Sequence, residues 1–211
     1  MKQKLNHNAT GMKRPFKLEE IWRIRTRIEI QNNLMQLALL NLAIDSKLRS
    51  CDLLSLRVRD VATQDQVFER VQWTQKKTGI EVQFEITPRT QQSISRWVQE
   101  GKLKPSEYLF RSLRRTNQPI SYSYYRSIIR SWAEQLGLDS DLYGTHSMRR
   151  TKATLVYART KNIRAVQLLL GHTKIDNTIR YLGIEIEDAI KISRETCLLY
   201  TSDAADDLLC V

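Results

Sequence analysis

Apolar residues follow three different patterns along this chain. From Asn32 to Ile44, "NNLMQLALLNLAI" is apolar on nearly every side, which predicts a helix buried all round. Around Lys77-Thr78-Gly79 the pattern changes to a period of two. Val71 and Trp73 on one side, and Val82, Phe84 and Ile86 on the other, alternate with polar residues. That predicts a β-hairpin with a glycine in its turn. Elsewhere the period is helical. Thr87-Pro88 opens a helix as N-cap and first helical residue, with Ile94, Trp97 and Val98 on one face. Tyr125, Ile129, Trp132 and Leu136 mark a second helix from about Ser121, stopped by Gly137. A third runs from near Thr145 to Arg159. A fourth, "NIRAVQLLLG", turns Ile163, Val166 and Leu170 inward and ends at Gly171. Between the buried helix and the hairpin, "SKLRSCDLLSLRVRDV" (Ser46 to Val61) reads as a short helix leading into extended chain. Near the end, "EIEDAIKIS" places Ile186, Ala189 and Ile190 on one face of a short amphipathic helix. Together these elements predict a mainly α protein with one small antiparallel β-sheet, an α+β fold without internal repeats.

Composition narrows the setting. The chain has 211 residues, 41% of them apolar, which suits one soluble domain with tails. Residues 1–15 are polar and basic and are expected to form a flexible arm. The last stretch, "CLLYTSDAADDLLCV" (197–211), has three Asp and no Lys or Arg. It reads as a disordered segment foreign to the fold, such as translated vector sequence, with a genuine acidic tail as the alternative. No window approaches the ~20 apolar residues of a membrane span. Cys51, Cys197 and Cys210 are scattered, with no CxxC, so neither a disulfide framework nor a zinc site is expected. A cytoplasmic location follows. The net charge of +11 favours a polyanionic partner, most often nucleic acid.

Four short features then carry chemistry. In "GTHSMRRT", His146 and Arg149 stand at i, i+3 and share a helix face. Arg150, at i+4, is placed as well by spacing alone. Arg49 sits between two apolar segments, where an arginine is either exposed at a bend or held against an anion. Lys76 and Lys77 occupy the hairpin tip, an ordinary place for solvated lysines. Finally, His172 follows the helix-ending Gly171, and Tyr181 lies nine residues further on, after Arg180. Each feature alone is weak.

In this order they resemble the tyrosine recombinase/integrase family, from about Phe16 to Thr196. The matching residues are Arg49, Lys77, His146, Arg149, His172 and Tyr181. The resemblance implies a catalytic domain over residues 16–196. It also implies cutting and rejoining of DNA strands by transesterification. Tyr181 would attack a phosphodiester and hold it as a 3′-phosphotyrosine. Arg49 and Arg149 would clamp the non-bridging oxygens, because guanidinium is planar, always charged and bidentate. His172 would donate to the same phosphate, and Lys77 would protonate the leaving 5′-oxygen. His146 would accept the tyrosine proton or orient the phosphate. The family pattern selects Arg149 over Arg150. "TKIDNTIR" becomes the short helix that carries Tyr181.

No metal or cofactor is expected, since the arginines supply the positive charge. The expected partners are double-stranded DNA, three further copies in a tetramer on DNA, and an accessory DNA-binding protein, with no membrane. The location implied is the cytoplasm, on the nucleoid. The accessory protein is suggested by the short N-terminal region, because many relatives carry an extra helical domain there. Two alternatives use the same or fewer residues: a nicking–closing enzyme like the type IB topoisomerases, and a non-catalytic DNA-binding remnant of a mobile element.

Overall fold

The computed structural model describes residues 12–63, 66–115, 117–184, 190 and 193–194. Nine α-helices and one hairpin make up the described chain. The first two helices, α1 (Leu18–Ile30) and α2 (Leu34–Ser46), form an antiparallel pair. Helix α1 turns Ile21, Ile24 and Ile28 inward. It starts where the Glu20 carboxylate accepts the Lys17 N–H at 2.7 Å. Asn33 caps α2 by accepting the Gln36 N–H at 3.1 Å. As its composition predicts, α2 runs through the middle of the core, with Leu39, Leu40 and Leu42 all fully buried. Helix α1 was not anticipated, although its isoleucines fall at i, i+3 and i+7.

The region after α2 differs from the expected helix and extended chain. It forms two single-turn helices, α3 (Ser50–Leu53) and α4 (Val58–Val61). The second begins where the Asp60 carboxylate accepts the Arg57 N–H at 2.7 Å, a local bond that competes with extended chain. The hairpin is as predicted. Strand β1 (Arg70–Thr74) pairs antiparallel with β2 (Glu81–Glu85), with Val71 opposite Phe84 and Trp73 opposite Val82. Val71, Val82 and Phe84 face the core.

Helix α5 (Pro88–Glu100) packs against α2, and Ser121 caps α6 (Tyr122–Gln135) by accepting the Tyr124 N–H. Three further helices close the fold: α7 (Thr145–Thr160), α8 (Ile163–Leu170) and α9 (Ile175–Leu182). Helix α7 is central, touching α2, α6, α8 and α9. Helix α8 also leans on β2, which brings the hairpin beside the α8–α9 corner.

Residues 12–15, the end of the expected flexible arm, are tied down. The Arg14 N–H donates to Leu142 O at 2.8 Å, and Lys13 O accepts from Arg150 at 2.7 Å. The expected amphipathic helix near the C-terminus falls mostly outside the described residues, of which Ile190 is exposed. The tail 197–211 lies outside them altogether. No helix among the described residues is long and apolar enough to cross a membrane.

Candidate active site

Two arginines from distant parts of the chain are joined through one backbone carbonyl and one side-chain amide. Arg149, on the second turn of α7, is buried, and its Nη2 donates to Leu170 O at 2.6 Å. Leu170 ends α8, so its carbonyl is one of those a helix leaves without an internal partner. The same oxygen accepts from Gln75 Nε2 at 3.1 Å. Gln75 Oε1 in turn accepts from Arg49 Nη1. Arg49 immediately precedes α3, where the chain leaves the buried end of α2. Burial lowers the Arg149 guanidinium pKa to about 10, with Arg49 acting in the same direction. It therefore stays charged at neutral pH.

Gly171 then turns the chain. Its φ of +63° is a left-handed conformation that glycine adopts without strain. A Cβ there would lie 2.6 Å from Val82 Cγ1 and 2.9 Å from Gln75 Nε2, so the close approach of the hairpin also needs glycine. The turn presents His172, whose Nδ1 lies 3.1 Å from Thr178 Oγ1 on α9. Its ring meets the Tyr181 ring edge-on, with centroids 5.4 Å apart. Burial first, then Arg149 and Arg49, hold the His172 pKa down at about 4. The imidazole is neutral across the physiological range.

Among the described residues, Tyr181 Oη and Arg149 Nη1 are buried without a well-formed hydrogen bond. The two groups are close enough for the guanidinium to favour the phenolate, yet they form no well-aligned bond with each other. Burial pushes the Tyr181 hydroxyl up to about 12, while Arg149, Arg150 and Arg49 pull it down. Arg150 lies with its guanidinium carbon 5.5 Å from the Tyr181 ring centre. His146, on the first turn of α7, is open to solvent on one side. The surrounding protein, then Arg149, Arg49, Arg150 and Lys77, keep its pKa below the usual histidine range. Lys77 stands exposed at the hairpin tip, within electrostatic reach of His146.

The chain as a whole has known relatives. The Phage integrase family profile matches residues 15–187. The chain belongs to that family. Over 168 residues it is 34% identical to the probable integrase/recombinase YoeC of Bacillus subtilis (strain 168), covering 80% of this chain and 87% of that protein. It is 26% identical to the tyrosine recombinase XerC of Actinobacillus pleuropneumoniae serotype 7, but spans only 51% of it. Among solved structures, XerA recombinase superposes with a TM-score of 0.69 at 18% identity, over 87% of this chain and 65% of that one. XerH bound to its palindromic difH substrate superposes with a TM-score of 0.68 at 18% identity, over 89% of this chain and 55% of that one. At these identities the two structures speak for the shared fold, mostly helical with one small sheet.

Within this family fold, four of the six residues singled out in the sequence make direct or bridged contacts, in two pairs. Arg49 and Arg149 meet through Gln75 and Leu170 O, and His172 touches Tyr181. His146 and Lys77 share the region through charge alone.

Spacing left Arg149 and Arg150 equivalent, and the structure separates them. Arg149 reaches Leu170 O, while Arg150 serves Lys13 O and the Tyr181 ring. Several buried polar residues nearby were not foreseen. Asp52, three residues after Arg49, is fully buried and its Oδ1 accepts the Lys76 N–H at 2.8 Å, anchoring the hairpin. Asp45 accepts from Lys152 at 2.7 Å and from Thr87 and Thr90. Lys47 is buried beneath the arginines, where desolvation lowers its pKa to about 8 and Lys152 adds to the effect. Only Asp52 left a sequence signal, an acid at i+3 from Arg49.

Proposed function

We infer that this chain is a site-specific tyrosine recombinase that breaks and rejoins DNA through a phosphotyrosine. The observation that carries the reading is that Arg49 and Arg149, bridged by Gln75 and Leu170 O, lie within electrostatic reach of the His172–Tyr181 ring contact. Arg149 Nη1 and Tyr181 Oη are buried and, among the described residues, make no well-formed hydrogen bond, which suits a site completed by a phosphate. The similar structures include a recombinase bound to its difH substrate and a transposon integrase in complex with DNA, which supports double-stranded DNA as the partner.

The roles follow from chemistry. Arg49 and Arg149 would take the non-bridging oxygens and stabilise the charge that grows on them in the transition state. A Thr178 hydroxyl donating to His172 Nδ1 would leave the proton on Nε2, which donates to the phosphate. Tyr181 Oη would form the new bond to phosphorus while the bond to the 5′-oxygen breaks. Lys77 would give that oxygen its proton. His146, whose pKa is lowered by burial and then by the cations around it, would take the proton that Tyr181 loses. A 5′-hydroxyl from a second strand would reverse these steps. The exchange between strands is read here as the work of four copies on two duplexes, with an accessory DNA-binding protein assisting.

A covalent capture tests this. The chain is mixed, in EDTA, with a pool of randomised duplexes nicked so that the cleaved end diffuses away. Adducts that survive boiling in detergent are recovered and sequenced. Wild type is expected to enrich one sequence, and a plasmid pair carrying it to exchange segments. Relaxation of plasmids without exchange would move the chain to the topoisomerase class. An adduct that persists in Tyr181→Phe would overturn the mechanism.

A further inference from the structure

Gln75 is 1% exposed, an unusual fate for a glutamine at the base of a hairpin turn. Its backbone is already committed to the turn. The N–H donates to Ile80 O at 2.9 Å, and the carbonyl accepts from the Gly79 N–H at 2.8 Å. The backbone of the turn therefore closes without the side chain, which makes three further hydrogen bonds. Oε1 accepts from Arg49 Nη1 and from Thr78 Oγ1, the latter at 3.0 Å. Nε2 donates to Leu170 O at 3.1 Å, the same oxygen that holds Arg149 at 2.6 Å. One amide thus joins Arg49, Arg149, the turn that carries Lys77, and the carbonyl preceding the Gly171–His172 corner.

We propose that Gln75 is a positioning residue that sets the separation of Arg49 and Arg149 and locks the Lys77 hairpin tip to them. The proposal rests on the reading of the two arginines as phosphate ligands. Both are cations that repel each other, so something must fix their spacing before a phosphate arrives. An amide suits this, because it is neutral and offers an acceptor to one side and a donor to the other. A carboxylate would accept from Arg49 but could not donate to Leu170 O, and would compete with phosphate for the guanidinium. Gly171 belongs to the same device. Any side chain there would meet Gln75 Nε2 at 2.9 Å and push the amide off the carbonyl. Gln75 touches no reacting atom in this scheme. It acts through the arginines and the hairpin, so its loss should slow the chemistry more than it weakens DNA binding.

The test compares Gln75→Met and Gln75→Glu with wild type. Methionine keeps the length and removes both hydrogen-bonding functions, while glutamate keeps only the acceptor at neutral pH. On a duplex recovered by covalent capture, Gln75→Met is expected to cleave about 100-fold more slowly at saturating DNA, as for an ångström-scale misplacement. Its dissociation constant for that duplex should stay close to wild type. Gln75→Glu should regain rate relative to wild type as pH falls, because a protonated carboxyl again donates to Leu170 O. A role confined to folding would not produce that pH dependence. A second arm needs no DNA. Inorganic vanadate, a tetrahedral oxyanion, is titrated into each full-length variant and followed by ⁵¹V NMR, and both variants should bind it more weakly. Near-wild-type cleavage and vanadate binding by Gln75→Met would overturn the proposal. Should the Met variant fail to fold, a Glu variant whose pH profile parallels wild type would overturn it equally. Wild-type protein that captured no DNA and bound no vanadate would instead sink the phosphate-clamp reading beneath it.

Discussion

The apolar packing beneath the arginines and that beneath the nucleophile differ in depth. On one side α1, α2, α5 and the hairpin share a continuous core, in which Leu39, Leu40, Leu42 and Ile94 are completely buried. On the other, α8 and α9 rest on α7 through Ala153, Val166 and Leu170, with Val156, Tyr157, Tyr181 and Leu182 only partly covered. Arg49 leaves the deep side, and His172 and Tyr181 sit on the shallow one. Helix α7 touches both and carries Arg149. The two arginines read as phosphate ligands are thus tied to the deeper part, while His172 and the nucleophile sit where local opening costs less. Such a division suits a reaction in which the tyrosine must move with a covalently held strand while the rest of the site stays assembled.

The comparison can be broken from the deep side first. Leu40→Ala removes a fully buried side chain from the centre of α2 and should cost about 4 kcal/mol of global stability, read by denaturant unfolding. Val166→Ala in the shallow layer should leave the global transition nearly in place and speed hydrogen exchange in α8 and α9. Equal losses from the two would remove the distinction. Asp45 is the joint between the sides, since it binds Lys152 on α7 and Thr87 and Thr90 at the start of α5. Asp45→Ala strands the buried Lys47 and the half-buried Lys152 without their counter-charge. A loss of roughly 3 kcal/mol is expected in the same unfolding experiment.

Next in size come the arginines. Arg49→Lys and Arg149→Lys keep the charge but lose the fork. Each should slow single-turnover cleavage by about 100-fold, roughly 2.7 kcal/mol of barrier, while DNA affinity changes little. Near-normal cleavage by either would remove that arginine from the clamp. Acid should act more gently. The unfolded chain protonates His172 below about 6.5, and the folded one only near 4. Within that window the unfolded state binds more protons, so stability falls as pH falls. His172→Gln should flatten this part of the profile, and NMR titration of the histidine should give the low value directly. The smallest effect is expected for the stability of Tyr181→Phe. Its hydroxyl is buried and unpaired, so removing it should leave the thermal midpoint unchanged or slightly raised.

Much of this was legible in the sequence for reasons that are local. The hairpin announced itself by period two, α2 by apolarity on all sides, and α8 by its terminal glycine. Helix α1 was overlooked because charged residues crowd its exposed face, although Ile21, Ile24 and Ile28 kept the period. The six residues proposed for the site were picked out through their types and order, as a family pattern. Gln75, Asp45 and Lys47 were not, because polar residues at a turn or a helix end normally face water. Gln75 is covered where α8 docks beside the hairpin, through a Gln75–Leu170 bond 95 residues apart in sequence, while Asp45 is held by Thr87 and Thr90 at the start of α5 and by Lys152 of α7. No periodicity records such a contact.

The most direct test of the account is to find the atom that holds the DNA. Captured adduct is digested with protease and nuclease, and the modified peptide is sequenced by mass spectrometry. The account predicts a nucleotide joined through its 3′-phosphate to Tyr181 and nowhere else, formed in the presence of EDTA. A nucleotide on Tyr157, Tyr143 or any other residue, or one joined through its 5′-phosphate, would contradict it.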